Sequence, residues 1–319
     1  MGQKNASQIQ KVTAMQFTIY QESRRGGRKN NEDRLAHCYS RDALLAVLAD
    51  GMGGHYYGEV AAQIAVQTMI DTFQREARPV IADPFLFLQK NIYAAHQSII
   101  GYSSVRRMTD SPRTTIVACL IQNNVAYWVH AGDSRLYLIR NGKIITRTRD
   151  HSIVQHLIET GKITPEQAED HPDRNRIYSC LGGPQFPDLD LSHKTPLQAG
   201  DLIVLCSDGI WGVLPNESII AQSLHMEDLL KAAPHFMDRV EGISGSSGDN
   251  LSMLAVRWEE NYMGDSLPSS ISTHGMSATD VTTHMESFGN IPREDLSNDD
   301  IERAIEEIRA AIDKYSFKK

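Results

Sequence analysis

Apolar residues along positions 16–258 fall into short blocks whose period switches between strand and helix spacing. Leu44–Ala49 and Leu202–Cys206 are continuous apolar runs that lead into Asp-Gly pairs, the pattern of buried strands ending in sharp turns. Thr114–Gln122, Val125–His130 and Arg135–Arg140 read as successive antiparallel strands. Asn141-Gly142 then makes a two-residue hairpin turn into Lys143–Thr148. Helical spacing occupies Glu59–Arg75, Pro84–Tyr102, Ile153–Thr160 and Met226–Val240. Antiparallel strands with grouped helices predict a layered α+β domain over residues 16–258, not a doubly wound parallel sheet.

The texture changes after Trp258. Ten of the 23 residues from Asp265 to Ser287 are Ser or Thr, with little apolar surface to bury, so residues 259–298 read as a flexible linker. Beyond it, Ile301, Ile305, Ile308, Ile312 and Tyr315 share one helical face, and Asp299 and Glu302 have capping-box spacing. This predicts an amphipathic helix over 299–317 that docks on its own catalytic domain, pairs in a dimer, or binds a kinase or scaffold. Deleting 265–319 is expected to leave turnover nearly intact, with residues 1–15 a separate N-terminal extension.

Charge adds to this boundary. The formal net charge is −8, and residues 259–319 alone hold 13 acids against 6 bases. An acidic balance with no basic cluster argues against nucleic-acid or anionic-membrane partners. No apolar run approaches the ~20 residues of a membrane span. The N-terminal stretch has no signal-type apolar region, and Met1-Gly2 is followed by Ser7 instead of the Ser or Thr at position six that myristoylation needs. A cytoplasmic protein is expected, and the four widely spaced cysteines, with no CxxC pair, fit buried thiols in a reducing compartment.

The informative chemistry is a set of carboxylates at strand ends. Asp50 ends LLAVLAD, Asp208 ends DLIVLCSD and Asp249 opens DNLSMLAV. Each alone reads more readily as an ordinary turn or loop residue, and only their joint occurrence points to chemistry. Brought to one sheet edge, they would repel strongly unless a cation neutralised them. Hard oxygen donors without Cys or His pairs select Mg²⁺ or Mn²⁺ over zinc. None of the cysteines stands in the Cys-x5-Arg loop of a cysteine-dependent phosphatase. A haloacid-dehalogenase-type mechanism needs a second Asp two residues on, where Asp50-Gly51 is followed by Met52.

An ordered series of segments carries a resemblance. GGRKNNEDRLA, LADGMGGHYYGEVAA, TTIVACL, WVHAGDSRLYLIRNGKI, TRDHSIVQHLIETGKI, HPDRNRIYSCLGG, CSDGIWGVL and SGDNLSMLAV together resemble the protein phosphatase 2C family in its compact bacterial form, over about 240 residues. The resemblance implies a four-layer α-β-β-α sandwich with two central antiparallel sheets. It also implies hydrolysis of protein phosphoserine and phosphothreonine by hydroxide shared between two Mn²⁺ or Mg²⁺ ions, with no covalent intermediate. Asp50 would bridge the metals, the Gly51 carbonyl would ligate the second, and Asp208 and Asp249 the first. Glu32 would lie at the second metal, with Asp33 ordering metal-bound water. Arg28 would grip the substrate phosphate, and Asp133 would join Asp208 in a weaker third metal site. His55 is either the proton donor to the leaving group or a packing residue of its turn. Asp150–Gly183, with His151 and His171, corresponds to the family's polar flap beside the cleft. Implied partners are a phosphoprotein substrate and a cognate Ser/Thr kinase.

Two positions depart from the family pattern. Arg113 stands where relatives place Gly before the Thr pair, either as surface or as a contact to phosphoprotein. Tyr178-Ser179 replaces a common Thr-Arg. A catalytically dead scaffold is the competing reading, but such proteins lose metal aspartates and this chain keeps them all.

Overall fold

Asn141 and Gly142 both have positive φ, 50° and 70°, and Asn123 and Asn124 have 55° and 57°. These are the left-handed conformations that let two-residue turns match strand twist, and the two turns build consecutive hairpins. The computed structural model describes residues 15–52, 57–225, 228–259 and 270–285.

The strands are β1 (Gln16–Arg24), β2 (Asp33–Tyr39), β3 (Ala43–Met52), β4 (Arg113–Thr114), β5 (Ile116–Gln122), β6 (Val125–Ala131), β7 (Arg135–Arg140), β8 (Lys143–Arg147), β9 (Asp190–Leu191), β10 (Thr195–Pro196), β11 (Leu202–Cys206), β12 (Leu251–Glu259), β13 (Ile271–Ser272) and β14 (Thr282–Met285). The helices are α1 (Gly58–Glu76), α2 (Pro84–Val105), α3 (Ile153–Glu159), α4 (Pro165–Glu169), α5 (Asp208–Trp211), α6 (Ser218–His225) and α7 (Leu229–Ser244). One sheet runs β13-β1-β12-β11-β7-β8, and the other runs β10-β6-β5-β3-β2-β14, with β4 on β3 and β9 on β6. The pairings within both are antiparallel.

Alternation along the strands explains the layers. Leu44, Leu48, Val117, Leu136, Leu138, Ile203, Leu205, Leu254 and Val256 point between the sheets. Leu45 and Val47, facing the other way, join Ile64, Met69, Phe73 and Leu88 of α1 and α2. On the far side, Val204 and Met253 pack with Ile220, Phe236 and Met237 of α6 and α7. Every second residue of a strand thus serves a different core, and the result is the expected α-β-β-α sandwich.

The flexible-linker reading of 259–298 needs correction. Within the supposed linker, Ile271–Ser272 extend the first sheet by pairing with Phe17 and Gln16, and Thr282–Met285 extend the second by pairing with β2. Thr273 is fully buried. It accepts from the Met15 amide at 2.9 Å and donates to the Arg41 carbonyl at 2.7 Å. Backbone pairing to two open edges holds this strap, so its Ser/Thr-rich composition is no obstacle to order. The expected effect of deletion changes accordingly. Truncation after residue 259 should cost roughly 3 kcal/mol through lost edge pairing and apolar burial. Truncation after 285, which keeps both strap strands, should not incur that loss. Equal Tm for the two truncations would show that the strap contributes nothing. The predicted helix 299–317 and residues 1–14 of the expected extension 1–15 lie outside the described residues, whereas Met15 is buried and belongs to the domain through its bond to Thr273.

Candidate active site

The ends of β3 and β11, the start of β12 and the β6–β7 turn meet at one end of the sandwich. There Arg28, Lys29, Asn30, Glu32, Asp50, Gly51, Met52, Asp133, Asp208, Asp249 and Asn250 line a cleft of about 570 Å³, which Asn175 and Ile177 of the flap close from the side. Seven of the nine residues singled out from sequence therefore share one cavity. Asp33 lies behind it, 2% exposed and directly opposite Asp50 across the β2–β3 ladder. His55 lies outside the described residues.

Local structure fixes each carboxylate. Asp50 is held by its backbone: its amide donates to Thr115 Oγ1 at 3.1 Å, and its carbonyl accepts from the Thr115 amide at 2.8 Å. Gly51 packs so closely on the start of α1 that a Cβ would stand 2.3 Å from Gly58 backbone atoms, so no other residue fits. Asp208 is the first residue of α5, where a carboxylate is favoured by the helix dipole. Asp133 follows Gly132, whose φ of 110° turns β6 into β7. The Trp211 indole donates to the Asp133 carbonyl at 3.1 Å.

Asn250 was not singled out from sequence, yet it organises the whole loop before Glu32. Its Nδ2 donates to the carbonyls of Arg25 and Asn30 at 2.8 and 3.0 Å, and its Oδ1 accepts from the Glu32 amide at 2.8 Å. Only its position after Asp249 at a strand start signals this. Ser207 was also missed; its hydroxyl donates to Asp33 Oδ2 at 2.8 Å. Arg113 pairs with Asp110 at 3.2 Å. Ser179 is buried and donates to the Asp188 carbonyl at 2.8 Å, whereas Tyr178 is exposed and stacks on His151.

Burial and mutual repulsion raise the acids. Burial, then the charge of Glu59, pushes Glu32 up to about 7. Burial, then Asp150, pushes Asp133 up to about 7. Burial raises Asp33 to about 6 against the hydrogen bonds from Ser252 and Ser207. Asp50 and Asp208 stand well above the usual carboxylate range, first through burial and then through neighbouring aspartates. Five carboxylates face only Arg28 and Lys29 in the cleft lining, and Asp33 Oδ1 is buried without a partner. This all-oxygen, strongly anionic set suits hard divalent cations such as Mg²⁺ or Mn²⁺.

A pH dependence follows for the metal-free protein. These carboxyls hold protons more tightly folded than unfolded, where the pKa is about 4. The stabilisation is complete below about pH 4 and is lost as the pH rises through the folded values of about 6 to about 7. In EDTA, Tm should therefore fall between about pH 5 and about pH 8, and excess Mn²⁺ should flatten that slope. A Tm that rises over this range in EDTA would contradict the electrostatics.

A family profile described as protein phosphatase 2C matches residues 21–268. The chain belongs to the protein phosphatase 2C family. Membership makes it a metal-dependent protein phosphatase by class. The serine/threonine phosphatase stp of Listeria innocua is 31% identical over 238 residues, covering 74% of this chain and 92% of that one. The serine/threonine phosphatase PstP/Ppp of Mycobacterium tuberculosis has a crystal structure that matches at a TM-score of 0.66 and 31% identity, over 77% of this chain and 100% of that one. A crystal structure of the PstP catalytic domain in complex with two manganese ions matches at a TM-score of 0.65 and 30% identity, with the same coverage. No helix among the described residues is long and apolar enough to cross a membrane.

Proposed function

We propose that this protein phosphatase hydrolyses phosphoserine and phosphothreonine in proteins by in-line attack of a water-derived hydroxide, with no covalent enzyme intermediate. The convergence of Glu32, Asp50, Asp133, Asp208 and Asp249 with Arg28 on a single cleft carries this reading. Asp50 would be shared by two Mn²⁺ or Mg²⁺ ions, Asp208 and Asp249 would hold the first, and Glu32 and the Gly51 carbonyl the second. Asp133 with Asp208 would offer a weaker third position. Bound in pairs, such ions supply positive charge and a water acidified to near neutrality.

The remaining chemistry belongs to side chains. Arg28, whose side chain is 59% exposed, pairs with Asp249 at 2.5 Å. Held at the cleft mouth, its guanidinium can take two phosphoryl oxygens at once and offset charge that grows in the transition state. Asp33, anchored by Ser207, orients water from behind Asp50. Two substrate classes fit this reading, phosphorylated Ser/Thr kinases with their targets and the phosphoserine of anti-sigma-factor antagonists, both in cytoplasmic signalling.

The test is release of phosphate from a phosphothreonine peptide. Chelation should abolish turnover, and Mn²⁺ should restore it. Arg28→Ala should raise KM by roughly tenfold to a hundredfold, as loss of a charge-assisted bidentate contact predicts, with Mn²⁺ affinity nearly unchanged. Much weaker Mn²⁺ binding in that variant would make Arg28 a metal-site residue instead of a phosphate grip.

A further inference from the structure

A second group of metal-type ligands lies away from the carboxylate cleft. His130 near the end of β6, His151 at the start of the flap and Asp190 in β9 bring one ligand atom each within 4.8 Å of one another. Both histidines are 3% exposed, and their rings stand 4.6 Å apart. His130 and Asp190 are direct partners in the β6–β9 ladder. The flap base is tied to the same place, because the His151 amide donates to the Gly132 carbonyl at 2.9 Å.

The hydrogen bonds orient His130 for ligation. Its Nε2 lies 2.6 Å from the Arg149 carbonyl, a contact that requires the proton on Nε2. Its Nδ1 is therefore a bare lone pair, and that atom is buried without a partner. A ring nitrogen bonded to a carbonyl while the other faces the metal is the usual arrangement of a ligating histidine.

One inter-ligand distance points the same way. His151 Nε2 and Asp190 Oδ2 are 3.4 Å apart, longer than the ~2.9–3.0 Å of a good N–H···O bond. Ligands ~2.0–2.1 Å from a tetrahedral zinc ion sit about 3.4 Å from each other. One contact opposes the site: the Gly132 amide lies 3.4 Å from His151 Nδ1, where a neutral ligating ring carries its own proton. At that length the conflict is weak, and it limits affinity without closing the site. Asp190, with a side chain 59% exposed, leaves the ion open to solvent for entry and for a fourth, water ligand.

We propose that His130, His151 and Asp190 bind a Zn²⁺-class ion, separate from the carboxylate cleft, that clamps the flap base to β6 and β9. Two nitrogens and one carboxylate suit zinc or cobalt, whereas Mg²⁺ and Mn²⁺ favour the all-oxygen cleft. The clamp would join His151, where the flap begins, to Asp190, just past its end at Gly183. It would do so three residues from Asp133.

The experiment uses the full chain in excess Mg²⁺, which occupies the carboxylate cleft, and titrates Co²⁺ as a spectroscopic probe. The intact protein should develop the visible absorption of one tetrahedral Co²⁺, displaced by one equivalent of Zn²⁺. His130→Asn and Asp190→Asn should each weaken that binding by more than about tenfold, the loss seen even for outer-sphere partners of metal ligands. Asp190 is exposed, so its variant should keep the Tm of the parent without Zn²⁺ and lose the Zn²⁺-induced rise in Tm. A missing tetrahedral band in the parent, or an undiminished band in both variants, would overturn the site.

Discussion

Asp50→Ala should lower Mn²⁺-dependent turnover by about a thousandfold or more, the largest effect expected from any single substitution here. The carboxylate stands at the end of a buried strand, opposite Asp33 and in the same cleft as Asp208 and Asp249. If it is shared by two ions, its loss weakens both, and the charge stabilisation of metal-assisted hydrolysis goes with them. The same substitution should have the opposite effect on the metal-free fold. Asp50 is raised well above the carboxylate range by burial and by Asp33 and Asp208, so removing it relieves repulsion. Tm in EDTA at pH 8 should rise while activity disappears. A variant that is both less stable in EDTA and still active within tenfold would show that Asp50 has a packing role.

The second large effect lies below the cleft. Arg135 is buried, with its side chain 8% exposed. It forks onto Asp150 with contacts of 2.8 and 2.7 Å, reaches Glu217 at 2.7 Å, and lies 3.5 Å over the Trp211 ring. Trp211 in turn donates to the Asp133 carbonyl. Arg135→Ala would leave Asp150, 6% exposed, without its two short contacts and with Arg147 at 3.9 Å as a distant partner. Breaking one side of such a pair costs about 3–5 kcal/mol, or a Tm decrease of roughly 10 °C for a domain of this size. The double variant Arg135→Met with Asp150→Leu should recover part of that loss, because the desolvated charge is gone. A decrease below about 1 kcal/mol for Arg135→Ala would show that water reaches Asp150 and that the network is not dry.

Sequence reasoning worked where burial dictates composition. β11 and the first seven residues of β3 are apolar and buried because both faces are covered, so Asp50 and Asp208 stand out where those runs end. β1 and β2 were not identified as strands. Outer positions of β1 are half-exposed and polar, and β2 carries Asp33, Arg34 and His37, so neither shows a clear apolar run. Helix α7 was placed three residues early: Asp228 caps it by accepting from the Leu230 amide at 3.1 Å. The strap at 270–285 was read as linker because sheet-edge pairing uses backbone groups that every residue possesses. Asn250 and the Arg135–Asp150 pair act through contacts distant in sequence, 225 and 15 residues, and no local spacing announces them.

The most direct measurement counts Mn²⁺ bound at equilibrium against phosphate released from a phosphothreonine peptide, in the parent chain and in Asp50→Ala and Asp208→Ala. The parent should bind at least two equivalents, with turnover appearing only as the second is taken up, and each variant should lose bound Mn²⁺ and turnover together. Turnover that persists after exhaustive chelation, or variants that keep full Mn²⁺ binding, would contradict a two-ion hydrolytic centre in this cleft.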